Sequence, residues 1–336
     1  MVKWQLFSGS GSEWDALVAN SSDANPFQYY GWGIFKGNYG WQCVRLCGLD
    51  DHNMPVAAVQ ALLKKIPLFG TIAWLPGGPL LGFEHSDDSA AGEVCLSLCE
   101  LLEKEHSVTY VRFRCHREDS GELSYSLEKY FKRPGAKIDS GYTSLITLNK
   151  ETSEINAAIS SKHRYYVKKA LVAITDWRYG AQDALYSDMQ SLYSEVMEAK
   201  GFSSLPSQSL PALFKAFGTQ ARVCAGYKND KAVTACLMIV NAHHACYLLA
   251  ATGSEGRKLN AAYGMVPELF SKLKTDGVSD FDFCGLAPAN PLAQGVDHFK
   301  RGFGGKTARY LGEWERATNL AVRLAVNFHV SRGKLG

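Results

Sequence analysis

The 336-residue chain has no CxxC cysteine pair, no long unbroken apolar run, no low-complexity tract and almost no net charge. Each absence closes a class. Nine cysteines are scattered singly, and although Cys95 and Cys99 lie one helical turn apart, no second pair or spaced histidine completes a zinc set. Unpaired thiols behind an N-terminus without a secretory leader predict reduced cysteines and a cytoplasmic protein. The longest apolar stretch, AVTACLMIVNAHHACYLLAATG, is broken by Asn241, His243 and His244, so it reads as two strands joined at the histidines rather than a membrane span. With 36 Lys and Arg against 33 Asp and Glu, a polyanion site can come only from local clustering.

A phosphate loop is missing too, although HFKRGFGGKT, from His298 to Thr307, imitates one. Counting back from Gly305-Lys306-Thr307, the required first glycine falls on Lys300, and the following ARYLGEWE alternates like a strand where a P-loop opens a helix.

What is present is a pattern written twice. QCVRLCGL, VAAVQALLKKI and TIAWLPGGPL read as three strands, AAGEVCLSLCELLEKEH as a helix and VTYVRFRC as a fourth strand. ARVCAGYK, AVTACLMIV, ACYLLAATG, LNAAYGMVPELFSKLKTDG and DFDFCG repeat that order, with Pro267 expected to kink the second helix or mark its start. Three strands, a helix and a strand form the central unit of the acetyltransferase-like (GNAT) fold. The fold class is therefore α/β, with two tandem GNAT-like units whose mixed sheets are flanked by helices. The first is expected over 1–148 with completion by 306–336, the second over 149–305. Between the repeats, SEINAAISSKHRYYVKKALVAI reads as one helix with Ile155, Ile159, Tyr166 and Ala170 on a common face, and DALYSDMQSLYSEVMEAKG as another stopped by Gly201.

Several segments resemble one family, the FemABX aminoacyltransferases that build peptidoglycan interpeptide bridges. They are NPFQYYGWGIFKGNYGW, LPGGPLL, KHRYYVKKA, YLLAATG, DFDFCGL and FKRGFGGK, in the family's order through nearly the whole chain. The resemblance implies amide formation: an amino acid esterified to tRNA is transferred to an amine on a nucleotide-linked or lipid-linked envelope or glycan precursor, with no cofactor, metal or ATP. It also implies that Lys36, with Gln28 and Trp32 in the same motif, contacts the acceptor's diphosphate. Phe299 and Lys300 would then lie where ester meets amine. Tyr247, Gly304 and Lys306 belong to motifs of the same kind, and Arg164 and Lys168 to the basic helix.

Residue chemistry is compatible with this. An amine attacking an ester needs orientation and a donor for the tetrahedral oxyanion more than it needs a nucleophilic side chain. Lys300 can donate, Gly302, Gly304 and Gly305 allow close backbone approach to a ligand, and Phe299 and Phe303 can flank it. On residue types alone the glycines equally fit a tight turn with Lys300 and Arg301 solvated, and a lone lysine such as Lys36 at a helix end is ordinarily solvated or capping. Lys162, His163, Arg164, Lys168 and Lys169 form one basic cluster, and Lys300, Arg301, Lys306 and Arg309 another.

The sequence also departs from the family. Leu205 and Ser209 stand where an Arg and a Tyr commonly hold a precursor's nucleotide, and Arg114 stands near a usual acidic position, so Asp282, Glu313 and Glu315 are candidate carboxylates by residue type only. An acyl-CoA-dependent N-acyltransferase acting on an amino sugar is the rival reading, but RKLNAA, from Arg257 to Ala262, has Asn260 where the pyrophosphate loop needs its first glycine. A non-catalytic binding protein is the third. No transmembrane segment is expected, and a peripheral membrane association is left open.

Overall fold

The computed structural model describes residues 2–67, 69–200 and 205–333. The chain divides into two compact units, Met1–Tyr142 with Ala308–Gly336, and Thr143–Thr307.

In the first unit β1 (Lys3–Leu6), α1 (Gly11–Ala19) and α2 (Tyr30–Gly37) lead into β2 (Gln42–Leu49), β3 (Pro55–Ile66) and β4 (Gly70–Gly77). There follow α3 (Ala91–His106), β5 (Val108–Glu118) and α4 (Glu122–Glu128). Ser10 and Glu13 close a capping box at the start of α1. β3 is apolar from Val56 to Leu63 apart from Gln60, and buried throughout that stretch, because both of its faces are covered there. Val94, Cys95, Leu98, Cys99 and Leu102, three or four apart on α3, form the stripe that packs on the sheet with Leu75 and Phe113.

The second unit begins with β6 (Tyr142–Thr147), α5 (Thr152–Ala158), α6 (Ser161–Ala173), β7 (Asp176–Gly180), α7 (Asp183–Lys200) and α8 (Leu210–Phe217). It continues through β8 (Ala221–Lys228), β9 (Lys231–Asn241), β10 (His244–Thr252), α9 (Ser254–Lys258), α10 (Ala261–Thr275), β11 (Asp280–Asp282) and α11 (Gln294–Arg301). β12 (Lys306–Ala317) and α12 (Leu320–Ser331) then return to the first unit.

Each unit has the same sheet logic. In the first the order is β1-β2-β3-β4-β5-β12, with β4 and β5 parallel and the other neighbours antiparallel. In the second it is β7-β8-β9-β10-β11-β6, again with one parallel pair, β10 and β11. The two parallel pairs end differently. β4 and β5 stay paired from Thr71 and Val108 to Gly77 and Cys115, in one register from Ile72 onward, and the Arg114 amide donates to Gly78 O (3.2 Å). β10 and β11 share only three positions, ending at Cys246 opposite Asp282; β10 runs on beside β9 through an irregularity between Tyr247 and Leu249. A notch therefore opens between parallel strands in the second unit, whereas in the first the corresponding pair stays hydrogen-bonded to its end.

Two local readings need correction. The helix expected over 153–174 is two helices, because Ile159 is extended (ψ 131°) and the Ser160 hydroxyl accepts the His163 amide to start α6 afresh. Pro267 sits inside α10, whose start follows left-handed Asn260 (φ 56°). NPLAQGVD, with Pro, Asn and Gly a poor strand former, forms none; Asn290 caps a short 3-10 turn that runs into α11. Gly201, the expected stop of α7, lies outside the described residues.

Candidate active site

The HFKRGFGG segment ends α11 and turns into β12, so no helix follows its glycines and a P-loop is excluded. The glycines serve the protein's own packing. A Cβ on Gly302 would lie 2.1 Å from the His163 ring, one on Gly304 2.5 Å from Ala158 O, and one on Gly305 2.4 Å from Ser144 Oγ. Gly304 is also left-handed (φ 83°). The close approach that sequence assigns to a ligand is thus made by α5, α6 and β6. Gly304→Ala should lower stability by about 1–3 kcal/mol through overpacking and backbone strain. Gly295→Ala, in open space on α11, should be neutral or stabilising in the same urea titrations.

His163 is the residue that sequence reading misplaces. Counted there within a basic cluster, it is fully buried, and desolvation lowers its pKa, so the ring is neutral. Its Nδ1 lies 3.0 Å from Ser160 Oγ and its Nε2 3.1 Å from Phe299 O, with Tyr263, His298 and Phe303 around the ring. The signal was the Ser160-x-x-His163 cap at the helix break. Arg164 is exposed and donates to Ala157 O and Ile159 O, closing the end of α5, while Lys168 is exposed on α6.

That clamp fixes α11 and its last turn. Phe299 is half-buried against Tyr263 and Phe303, with ring centroids 5.2 and 5.1 Å away. Lys300 is not solvated as the plain-turn reading would have it. Its ammonium donates to Cys284 O (2.6 Å) and Gly285 O (2.8 Å), the residues just past β11 at the mouth of the notch. Burial lowers its pKa to about 8, while Asp282 and Asp297 pull the other way. A lysine has three N–H donors, so two held by carbonyls leave one to be aimed at a reacting group. Asp297 is buried and accepts the Ala287 amide (3.0 and 3.1 Å), tying this loop to α11. Asp282 accepts the Cys284 amide (2.7 Å) and the Thr143 hydroxyl.

Of the other expected site residues in this unit, Tyr247 is core. It is buried beside Phe281 and Phe283, and desolvation drives its phenol pKa well up. Lys306 is exposed at the start of β12.

In the first unit, α2 presents a second set of polar groups. Gln28, just before it, is fully buried: Nε2 donates to Pro76 O (2.8 Å) and Gln60 O (3.3 Å), and Oε1 accepts the Gln60 amide (2.7 Å). It braces strands and has no face left for substrate. Trp32 is 8% exposed and its Nε1–H is buried without a hydrogen-bond partner among the described residues. Lys36, four residues later, is 9% exposed. Its ammonium stands 5.8 and 5.4 Å from the Trp41 and Trp74 ring centroids, and burial with Lys64 nearby lowers its pKa to about 8. The solvated or capping role usual for such a lysine does not hold.

Glu313 and Glu315, candidate acids by residue type, are structural. Glu313 pairs with buried Arg112, and Glu315 accepts from Tyr110 (2.7 Å), Asn327 (2.7 Å) and Arg323 (2.5 Å). Leu205 O accepts the Tyr193 hydroxyl, and Ser209 is buried with its hydroxyl on Pro206 O. The thiol expectation fails at one pair, since Cys246 and Cys284 are disulfide-bonded. Strand pairing brings together two cysteines far apart in sequence.

Residues 207–324 match the FemAB family model. Over that stretch the chain is similar to the FemAB family. The FemAB match contains Phe299, Lys300, Gly304 and Lys306, while α2 and α6 lie outside it. Among solved structures the chain is similar to FemX, at a TM-score of 0.83 and 15% identity over 96% of this chain and 100% of that one. It is also similar to L-PGS from Bacillus licheniformis (TM-score 0.57, 11% identity, 96% of each chain). A tandem GNAT protein from the clavulanic acid biosynthesis pathway gives 0.55 and 9%, over 95% of this chain and 99% of that one. These likenesses establish the tandem GNAT-like fold. No curated protein matches by sequence. No helix among the described residues is long and apolar enough to cross a membrane.

Proposed function

We propose that the protein transfers an aminoacyl group from aminoacyl-tRNA to an amine on a nucleotide-linked or lipid-linked envelope or glycan precursor. The observation that carries this is the Lys300 ammonium, sunk beside the β10–β11 notch with two donors held by carbonyls and one left for the reaction centre. The acceptor amine attacks the ester carbonyl carbon, so a C–N bond forms, the C–O ester bond breaks and the ribose hydroxyl leaves. Lys300 donates its remaining N–H to the developing oxyanion, and Phe299, held by Tyr263 and Phe303, walls the site. The amine's proton ends on the leaving hydroxyl or solvent. Lys36 and Trp32, buried donors with no acidic partner among the described residues, suit a diphosphate on the acceptor.

An acyl-CoA donor is less well supported. In the acetyltransferase arrangement free amides at the start of the helix after the notch strand take the pyrophosphate. Here α9 fills that stretch, Arg257 donates to Thr252 O (2.8 Å), and a side chain on Gly256 would strike Val233 O at 2.1 Å.

The test is to incubate the protein with charged tRNA or with acetyl-CoA, together with a nucleotide-linked peptide or amino-sugar acceptor. Acceptor-dependent loss of the aminoacyl ester is expected, and turnover with acetyl-CoA alone would remove the tRNA reading. Lys36→Met should raise the KM for a diphosphate-bearing acceptor by about 10–100-fold, the equivalent of one charge-assisted contact, without affecting an acceptor that lacks the diphosphate. An unchanged KM would take Lys36 out of the acceptor site.

A further inference from the structure

Of the nine cysteines, seven are free, and all of these except Cys43 are buried. Burial drives the thiols of Cys95, Cys115 and Cys236 well up and those of Cys99 and Cys224 to about 12, so they are poor nucleophiles. Cys224 and Cys236 even face each other across β8 and β9 and stay unbridged. The bridged pair is placed differently. Cys246 is the last residue of β10 in register with β11, at the point where the parallel strands part. Cys284 lies two residues beyond the end of β11, half-exposed, in a left-handed conformation (φ 54°), and its carbonyl receives the Lys300 ammonium.

We infer that Cys246 and Cys284 form a redox-active thiol–disulfide site that exchanges with a low-molecular-weight thiol and its disulfide, and that the bridge latches the notch shut across the path of the acyl group. Half-exposed Cys284 is the sulfur open to attack, while Cys246 is 7% exposed and acts from within. In oxidation, the Cys284 thiolate attacks a sulfur of the external disulfide and expels one thiolate. Cys246 then attacks the Cys284 sulfur, forming the protein S–S bond and expelling the second. Two electrons pass to the external disulfide, and the two protein thiol protons end on the released thiols. Reduction reverses this, separates Cys284 from β10 and opens the space beside Lys300. The functional half of this inference rests on the transfer reading above; the chemical half does not.

The full chain would be equilibrated over a series of reduced-to-oxidised glutathione ratios, quenched by alkylation and weighed intact. The expected result is a single step from nine alkylated thiols to seven, mapped to Cys246 and Cys284. Amide exchange at residues 280–286 should quicken at least several-fold on reduction. Transfer should fall at least ten-fold on oxidation and recover on reduction, and Cys246→Ser should transfer at every ratio; Cys284→Ala serves if that variant does not fold. Nine thiols at every ratio, bridging of any other pair, or a metal ion held tightly by Cys246, Cys284 and Asp282 would overturn the exchange site. A clean redox step with unchanged transfer would overturn the latch. If no donor supports transfer in either state, the transfer reading and the latch built on it fail together, while the thiol count and exchange data still decide the chemical half.

Discussion

Lys300→Ala is expected to lower transfer by about 10²–10³-fold, the loss that follows removal of one preorganised oxyanion donor. The fold should persist, because the side chain fills no core position and its two carbonyl acceptors stand at a loop that water can reach. A pH profile tests the same residue from another side. The donor is charged below about 8, so its contribution should fade as pH rises through that value. Lys300→Arg should move that alkaline limb upward at a reduced maximum, since a planar guanidinium cannot reproduce the geometry of an ammonium. The sign for stability is opposite. With its folded pKa below the ordinary 10.5, Lys300 leaves the unfolded chain holding more protons between about 8 and 10.5, so stability from this group rises with pH across that window. Lys300→Ala should abolish that slope. A variant turning over at the wild-type rate would remove Lys300 from the mechanism.

Arg112→Met is expected to cost about 3–5 kcal/mol, the usual consequence of stranding one member of a buried ion pair. Arg112 Nε lies 2.7 Å from Glu313 Oε2, its Nη2 also reaches that carboxylate, and both side chains are almost wholly buried. Glu313 Oε1 meanwhile accepts the amides of Ile138 (2.7 Å) and Asp139 (2.9 Å), so the pair joins β5, β12 and the 138–139 loop. Without Arg112 the carboxylate must either stay charged in a dry site or protonate and weaken those bonds. Adding Glu313→Gln should recover part of the loss, because a neutral amide still accepts from both backbone groups. Urea unfolding measures both variants; a loss under about 1 kcal/mol for the single change would mean that water reaches the pair.

What sequence could read here follows from which interactions are local. The strand-strand-strand-helix-strand order emerged because alternation and the three-to-four spacing of Val94, Cys95, Leu98 and Cys99 are set by each element's own burial. The break between α5 and α6 was missed although Ser160 carries a cap signature, since the apolar positions on either side keep a helical period across it. At the site, Lys300 was legible through its motif, but its partners were not. Cys284 and Gly285 approach it only after β10, β11 and α11 have packed. The glycines illustrate the same limit, because residue type shows that something comes close and only the fold shows that it is His163, Ala158 and Ser144. Cys246 and Cys284 are neighbours solely through the parallel pairing of β10 with β11.

The pairing of β12 with β5 sets an order on synthesis. Glu118 cannot meet Tyr310 until the whole intervening segment, Thr143–Thr307, has left the ribosome. A nascent chain therefore carries a bare β5 margin throughout that interval, open to intermolecular strand addition. The first unit is begun before the second and finished after it, with β12 and α12 as its closure rather than an appendage.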